Sequence, residues 1–172
     1  VYSFTWQGGE PALMGTEFYR KVTGLQERYG RPGSRVYNGF QTNGTCITPE
    51  LAAHLGTYRF LAGISIDGPR ELHDSRRVRR SGGGSYDDVL AGLTLLRREH
   101  VSVNAVVLVH SANVDFPERI YSHLKELGFS HHQYIPCLEF DDKGEPLPCS
   151  ISGDQWGDFL LRIFRCWNAG DS

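Results

Sequence analysis

Apolar and β-branched runs alternate along this chain with segments whose apolar residues recur at helical spacing. Runs near 1–6, 35–42, 58–66, 101–110 and 131–138 predict five strands, each followed by a helical pattern, the last after an intervening loop. Helix starts are marked by Thr16 before Glu17, by Thr48 with Pro49 at the first helical position, by Ser85 ahead of Asp87 and Asp88, and by Asp115 with Glu118 three residues later. Val89, Leu93 and Leu96, then Ile120, Leu124 and Leu127, supply apolar helix faces. A last helix is predicted over about 153–167, with Trp156, Phe159, Leu160, Ile163, Phe164 and Trp167 forming an apolar face. Strand followed by helix, repeated, is the signature of a parallel sheet and an α/β fold.

Polarity is distributed unevenly within the strands. Each body is apolar and each C-terminal end is polar: Gln7 and Glu10, Gln41 and Asn43, Ser65 and Asp67, His110 and Asn113, then Glu139. In a parallel barrel these ends share one rim, where such folds place their sites. The first of them, Gly8-Gly9-Glu10-Pro11, offers a backbone without Cβ atoms, a carboxylate suited to an ammonium group, and a rigid exit. The same four residues also serve as ordinary strand-to-loop punctuation.

At 172 residues and 40% hydrophobic, the chain can bury a core, and a net charge of −2 provides no electrostatic footprint for nucleic acid or an anionic membrane. No apolar run approaches the roughly 20 residues that span a bilayer. Four scattered cysteines, Cys46, Cys137, Cys149 and Cys166, point to a reducing, cytoplasmic compartment. His110, His131 and His132 have no chelating partner at useful spacing, so no metal site is expected in the sequence.

Trp6-Gln7-Gly8-Gly9-Glu10-Pro11, Asn38-Gly39-Phe40-Gln41-Thr42-Asn43-Gly44, Ser65-Ile66-Asp67-Gly68-Pro69, His73-Asp74 with Arg77, and Gln133-Tyr134-Ile135-Pro136-Cys137-Leu138-Glu139 occur in an order that resembles the radical S-adenosylmethionine (SAM) enzymes, and among them the anaerobic sulfatase-maturating enzymes with Cys-rich C-terminal extensions. The resemblance implies a (β/α)6 barrel that binds SAM and a 4Fe–4S cluster through a Cys-x3-Cys-x2-Cys loop. No such spacing occurs here, and the chain opens with Val1 inside what reads as the second strand. The expectation is an internal fragment: a partial parallel barrel over 1–140 holding strands two to six, without the first strand and cluster loop. Residues 141–172 would be a linker and helix leading toward an absent extension with auxiliary 4Fe–4S clusters.

On this resemblance Gln7, Gly8, Gly9 and Glu10 meet the methionine end of SAM, Ser65 and Arg77 the ribose and carboxylate region, and Leu138 the adenine. Asn43, Asp67 and Cys137 stand behind them or touch substrate, and His73-Asp74 organises the loop leading to Arg77. Catalytic residues and cluster ligands are expected outside the fragment, which would be inactive alone. The intact enzyme would form a 5′-deoxyadenosyl radical, take a hydrogen from the β-carbon of a Cys or Ser in a sulfatase polypeptide, and yield Cα-formylglycine with the help of an electron donor. Other readings stand beside it: a different radical SAM peptide-modifying enzyme, a cluster-free βα barrel enzyme using Glu10, Asp67 or His110 as acid or base, or a nucleotide-binding module.

Overall fold

A computed structural model describes residues 1–170. Five strands form: β1 (Tyr2–Trp6), β2 (Val36–Thr42), β3 (Leu61–Ser65), β4 (Ser102–Val109) and β5 (His132–Pro136). They belong to one sheet in the order β1-β2-β3-β4-β5. The registers are parallel, with Tyr2 opposite Val36, Gly39 opposite Leu61 and Ala105 opposite His132. Sequential parallel order is the winding of a barrel and not of a doubly wound sheet. The helices are α1 (Gly15–Tyr29), α2 (Pro49–Thr57), the single turn α3 (Arg70–His73), α4 (Tyr86–Arg98), α5 (Pro117–Glu126) and α6 (Gly153–Gly170), with a 3-10 turn at Pro11–Met14.

All five expected strands are present, within about three residues of their predicted bounds. The helix starts need correction. Thr48 does cap α2, its hydroxyl accepting from Leu51 N at 3.2 Å. Thr16 and Asp115 cap nothing: α1 and α5 start after Met14 and Phe116, neither of which makes a side-chain cap. Pro117 takes the first position of α5, where its missing N–H costs nothing, so the helix begins later than the Asp115–Glu118 spacing suggests. At α4, Asp74 accepts from Tyr86 N at 3.0 Å, while the Ser85 hydroxyl donates to Arg77 O.

The chain packs as two compact units. The first holds residues 1–65 and 87–104, with Phe40, Leu55, Phe60, Ile64 and Leu96 fully buried. Tyr19 joins this core edge-on to Trp6, Phe40 and Phe60, and its hydroxyl donates to Pro11 O at 3.0 Å. Burial and the nearby Glu10 carboxylate push that phenol up to about 12. β1 is the exposed exception, and Tyr2, Phe4 and Trp6 line an apolar cavity of about 450 Å³ with Val22, Leu25 and Tyr29 of α1.

The second unit holds 66–86 and, among the described residues, 105–170, around Val107, Val109, Ile120, Leu124 and Phe129. Residues 141–170 lie in the same unit as β5. In α6 only Phe159 and Ile163 of the expected face are buried; Leu160, Phe164 and Trp167 are exposed. The Arg162 guanidinium reaches Glu118 of α5 through Nε at 2.7 Å and Nη2 at 2.6 Å, tying α6 to α5.

Candidate functional site

In the first unit the polar strand ends are tied together through Glu10. Leaving β1, Gly8 and Gly9 take φ of +102° and +57°, and a Cβ at either would meet no atom within 4 Å. Their requirement is conformational, and the space beside them is open. Glu10 then caps the Pro11–Met14 turn: its Oε1 accepts from Ala12 N at 2.9 Å and from the Thr42 hydroxyl at 2.6 Å, and its Oε2 accepts from Asn43 N at 2.7 Å. The end of β2 is thereby fixed against the end of β1. Thr42 was not singled out in the sequence, yet it carries this junction, because its hydroxyl also accepts from Gly44 N at 3.0 Å. Asn43 turns its side chain back onto Thr45 N and Oγ1, the local duty of an Asn-Gly turn. The Ser65 hydroxyl accepts from Gln41 Nε2 at 3.3 Å, linking the ends of β2 and β3. Gln7 is exposed.

The second unit is organised around Asp67, whose side chain is 1% exposed. Its carboxylate receives the Arg77 guanidinium as a fork, Nε to Oδ2 at 2.5 Å and Nη2 to Oδ1 at 3.1 Å, and Leu108 N at 2.9 Å. Arg77 thus spends two of its five donors on Asp67. The loop between them is shaped by His73, whose Nδ1 accepts from Asp67 N at 3.3 Å and whose carbonyl accepts from Arg77 N at 2.9 Å. With Nδ1 accepting, Nε2 carries the proton and donates to the Ser85 hydroxyl at 3.1 Å. Burial pushes His73 down to about 4.

At the end of β4, Asn113 donates to Leu108 O at 2.9 Å and accepts from His110 N at 2.8 Å. His110 Nδ1 accepts from Ala112 N, which leaves the proton on Nε2, a buried atom without a hydrogen-bond partner among the described residues. Burial lowers the pKa of this histidine too.

After β5, Leu138 is exposed and Cys137 is buried. Burial and the Cys149 thiol beside it push Cys137 up to about 11. The fold brings Cys149 back to Cys137 and Glu139, a proximity that their spacing of twelve and ten residues does not announce. Cys46 and Cys166 are free thiols elsewhere.

Residues 1–128 match the family model described as the radical SAM superfamily. The chain belongs to the radical SAM superfamily. It is 35% identical to a serine-type anaerobic sulfatase-maturating enzyme of Bacteroides thetaiotaomicron, over 95% of this chain and 43% of that protein. It is 33% identical to a cysteine-type enzyme of Clostridium novyi, over 96% of this chain and 44% of that protein. Among solved structures it resembles native anSMEcpe with bound AdoMet and Cp18Cys peptide, with a TM-score of 0.90 and 33% identity over 96% of this chain and 47% of that one. The chain therefore spans less than half the length of these relatives. The fold is a partial radical SAM (β/α) barrel.

Radical SAM enzymes use SAM and a 4Fe–4S cluster, and one observation at Glu10 fits SAM. A carboxylate offers about four lone-pair positions, of which Glu10 has filled three, leaving one on Oε2 for an ammonium proton. The cluster does not find its ligands here: the sequence has no Cys-x3-Cys-x2-Cys, and among the described residues only two thiols, those of Cys137 and Cys149, form part of a ligand-spaced group.

Proposed function

We propose that this chain is the SAM-binding part of an enzyme that converts a Cys or Ser side chain of a sulfatase polypeptide to Cα-formylglycine. The observation that carries this reading is the similarity, over 95–96% of the chain, to both serine-type and cysteine-type sulfatase-maturating enzymes. SAM and the cluster, when bound, supply the one-electron chemistry that removes a hydrogen from the substrate's β-carbon. The residues of this chain bind and orient. Glu10 holds an ammonium proton on its remaining Oε2 lone pair, and Gly8 and Gly9 keep the space beside it clear. Ser65, held by Gln41, presents its hydroxyl to the ribose, and Leu138 offers apolar surface to the adenine. Arg77, aimed by Asp67, gives its remaining donors to the carboxylate region. Gln7, Asn43 and Cys137 complete the surroundings. A sulfatase polypeptide and an electron donor are the partners, in the cytoplasm.

Identity near one third to both substrate types does not select Cys or Ser. The test is to incubate the full-length reconstituted enzyme anaerobically with SAM, a reductant and two peptides that differ only in Cys or Ser. Mass spectrometry should detect an aldehyde-bearing product from at least one of them. SAM cleavage without modification of either peptide would sink the sulfatase reading and leave a different radical SAM substrate.

A further inference from the structure

We propose that Cys137, Glu139 and Cys149 form a Zn²⁺ site that clasps the segment after β5. The three donor atoms all lie within 4.8 Å of one another. Tetrahedral Zn²⁺ with Zn–S near 2.3 Å and Zn–O near 2.0–2.2 Å needs donor separations of about 3.5–3.8 Å. One edge already meets this, since Cys149 Sγ stands 3.6 Å from Glu139 Oε2. The other donors need only a small inward turn.

The backbone under these side chains is built and pinned on both arms. Cys137 N donates to Val109 O at 2.7 Å, and Ile151 N donates to Cys137 O at 3.2 Å. Ser150 holds Glu139 twice, accepting from its N–H at 2.7 Å and donating to its carbonyl at 2.6 Å, while Leu147 N donates to the same carbonyl at 2.8 Å. Ser111 anchors the returning arm, donating from N to Cys149 O at 3.1 Å and from its hydroxyl to Pro148 O at 2.7 Å. A turn at Asp141–Gly144 closes the far end.

Two thiolates and a carboxylate are soft enough to choose Zn²⁺ over Mg²⁺ or Ca²⁺. Cys137 is buried, Cys149 half-buried and Glu139 exposed, so the ion enters from solvent and keeps one position for water, as three-ligand zinc sites do. Cys137, Glu139 and Cys149 all lie beyond residues 1–128, which the family model matches. The ion would fix the backbone on both sides of Leu138.

The test uses the 172-residue chain carrying Cys46→Ser and Cys166→Ser, reduced, with Co²⁺ as a probe and Zn²⁺ as competitor. One equivalent of Co²⁺ should give thiolate charge-transfer absorption and be displaced by one equivalent of Zn²⁺. Cys137→Ser and Cys149→Ser should each lower affinity by more than the about 10–100-fold that loss of an outer-shell partner costs. Glu139→Gln, at an exposed position, should weaken binding with an unchanged circular dichroism spectrum. The proposal is overturned if the folded parent binds no Co²⁺, if Cys149→Ser and Glu139→Gln leave affinity unchanged, or if the pair forms a disulfide in air and has no metal affinity when reduced.

Discussion

In the proposed reading Glu10 does two jobs with one carboxylate, and they separate by substitution. Its three present hydrogen bonds hold the ends of β1 and β2 together, and its fourth position is the one left for an ammonium. Glu10→Gln puts an amide donor among groups that are themselves donors and removes the charge. In the full-length enzyme SAM affinity should fall by about one to two decades, the worth of a charge-assisted hydrogen bond of about 1.5–3 kcal/mol. Thr42→Val, which removes a single donor, should reduce stability while changing affinity much less; calorimetric titration with SAM separates the two. At His73 the expectation concerns pH. Its folded-state value near 4 lies below that of the unfolded chain near 6.5, so the unfolded chain takes up the proton first. The stabilisation is complete above about pH 6.5 and is lost as pH falls toward 4, about 3 kcal/mol in all. His54, His110 and His123 shift in the same direction and steepen the loss. Urea unfolding between pH 4 and 7 should show this slope, and His73→Asn, which keeps an acceptor for Asp67 N, should flatten it by one proton.

Elements place these residues through a few close approaches. Gly92 lies in α4, and a Cβ there would run into the carbonyl of Gly44, directly after Asn43. The helix sits this close to the loop only because the side chain is missing. In an ordinary helix Gly→Ala gains about 1 kcal/mol. Here the methyl group must displace backbone, an overpacking cost of about 1–3 kcal/mol, so the sign reverses. Gly92→Ala should lower the urea midpoint and, by shifting the Asn43-Gly44 loop that donates to Glu10, weaken SAM binding as well. A stabilised variant would mean that α4 moves freely against that loop. Asp67 plays the corresponding part in the second unit, where one buried carboxylate joins Arg77 to the backbone of β4. Removing one partner of such a pair costs about 3–5 kcal/mol, because the other charge stays buried.

Over the whole molecule, cysteine placement decides what the chain does by itself. A 4Fe–4S cluster in this family needs three convergent thiolates, and the described residues bring two thiols into one ligand-spaced group. Reconstituted anaerobically with iron and sulfide, the 172-residue chain should hold less than one 4Fe–4S cluster per molecule and should not cleave SAM. Iron analysis with product chromatography tests this, and a stoichiometric cluster with 5′-deoxyadenosine formed would refute it. No helix among the described residues is long and apolar enough to cross a membrane.

The sequence by itself determined the strands, their order of appearance and the family, because period-2 and period-3.6 patterns and glycine-rich turns are local properties written in consecutive residues. It marked Gly8-Gly9-Glu10 and Ser65 as strand-end residues for the same reason. Tertiary structure decided the rest. Whether Arg77 stands as a solvated charge or a fork on Asp67 depends on a fold across ten residues and on Leu108, forty-one residues after Asp67. That Thr42 serves Glu10 depends on β1 and β2 lying side by side. That Phe159 and Ile163 are the buried residues of the α6 apolar face depends on α6 lying against α5 and on Phe159 meeting Tyr134 of β5. Cys149 reaches Cys137 because Ser111 and Ser150 pin a loop whose spacing carries no metal motif. Pairings of this kind depend on distance in space, and a linear pattern encodes only distance along the chain.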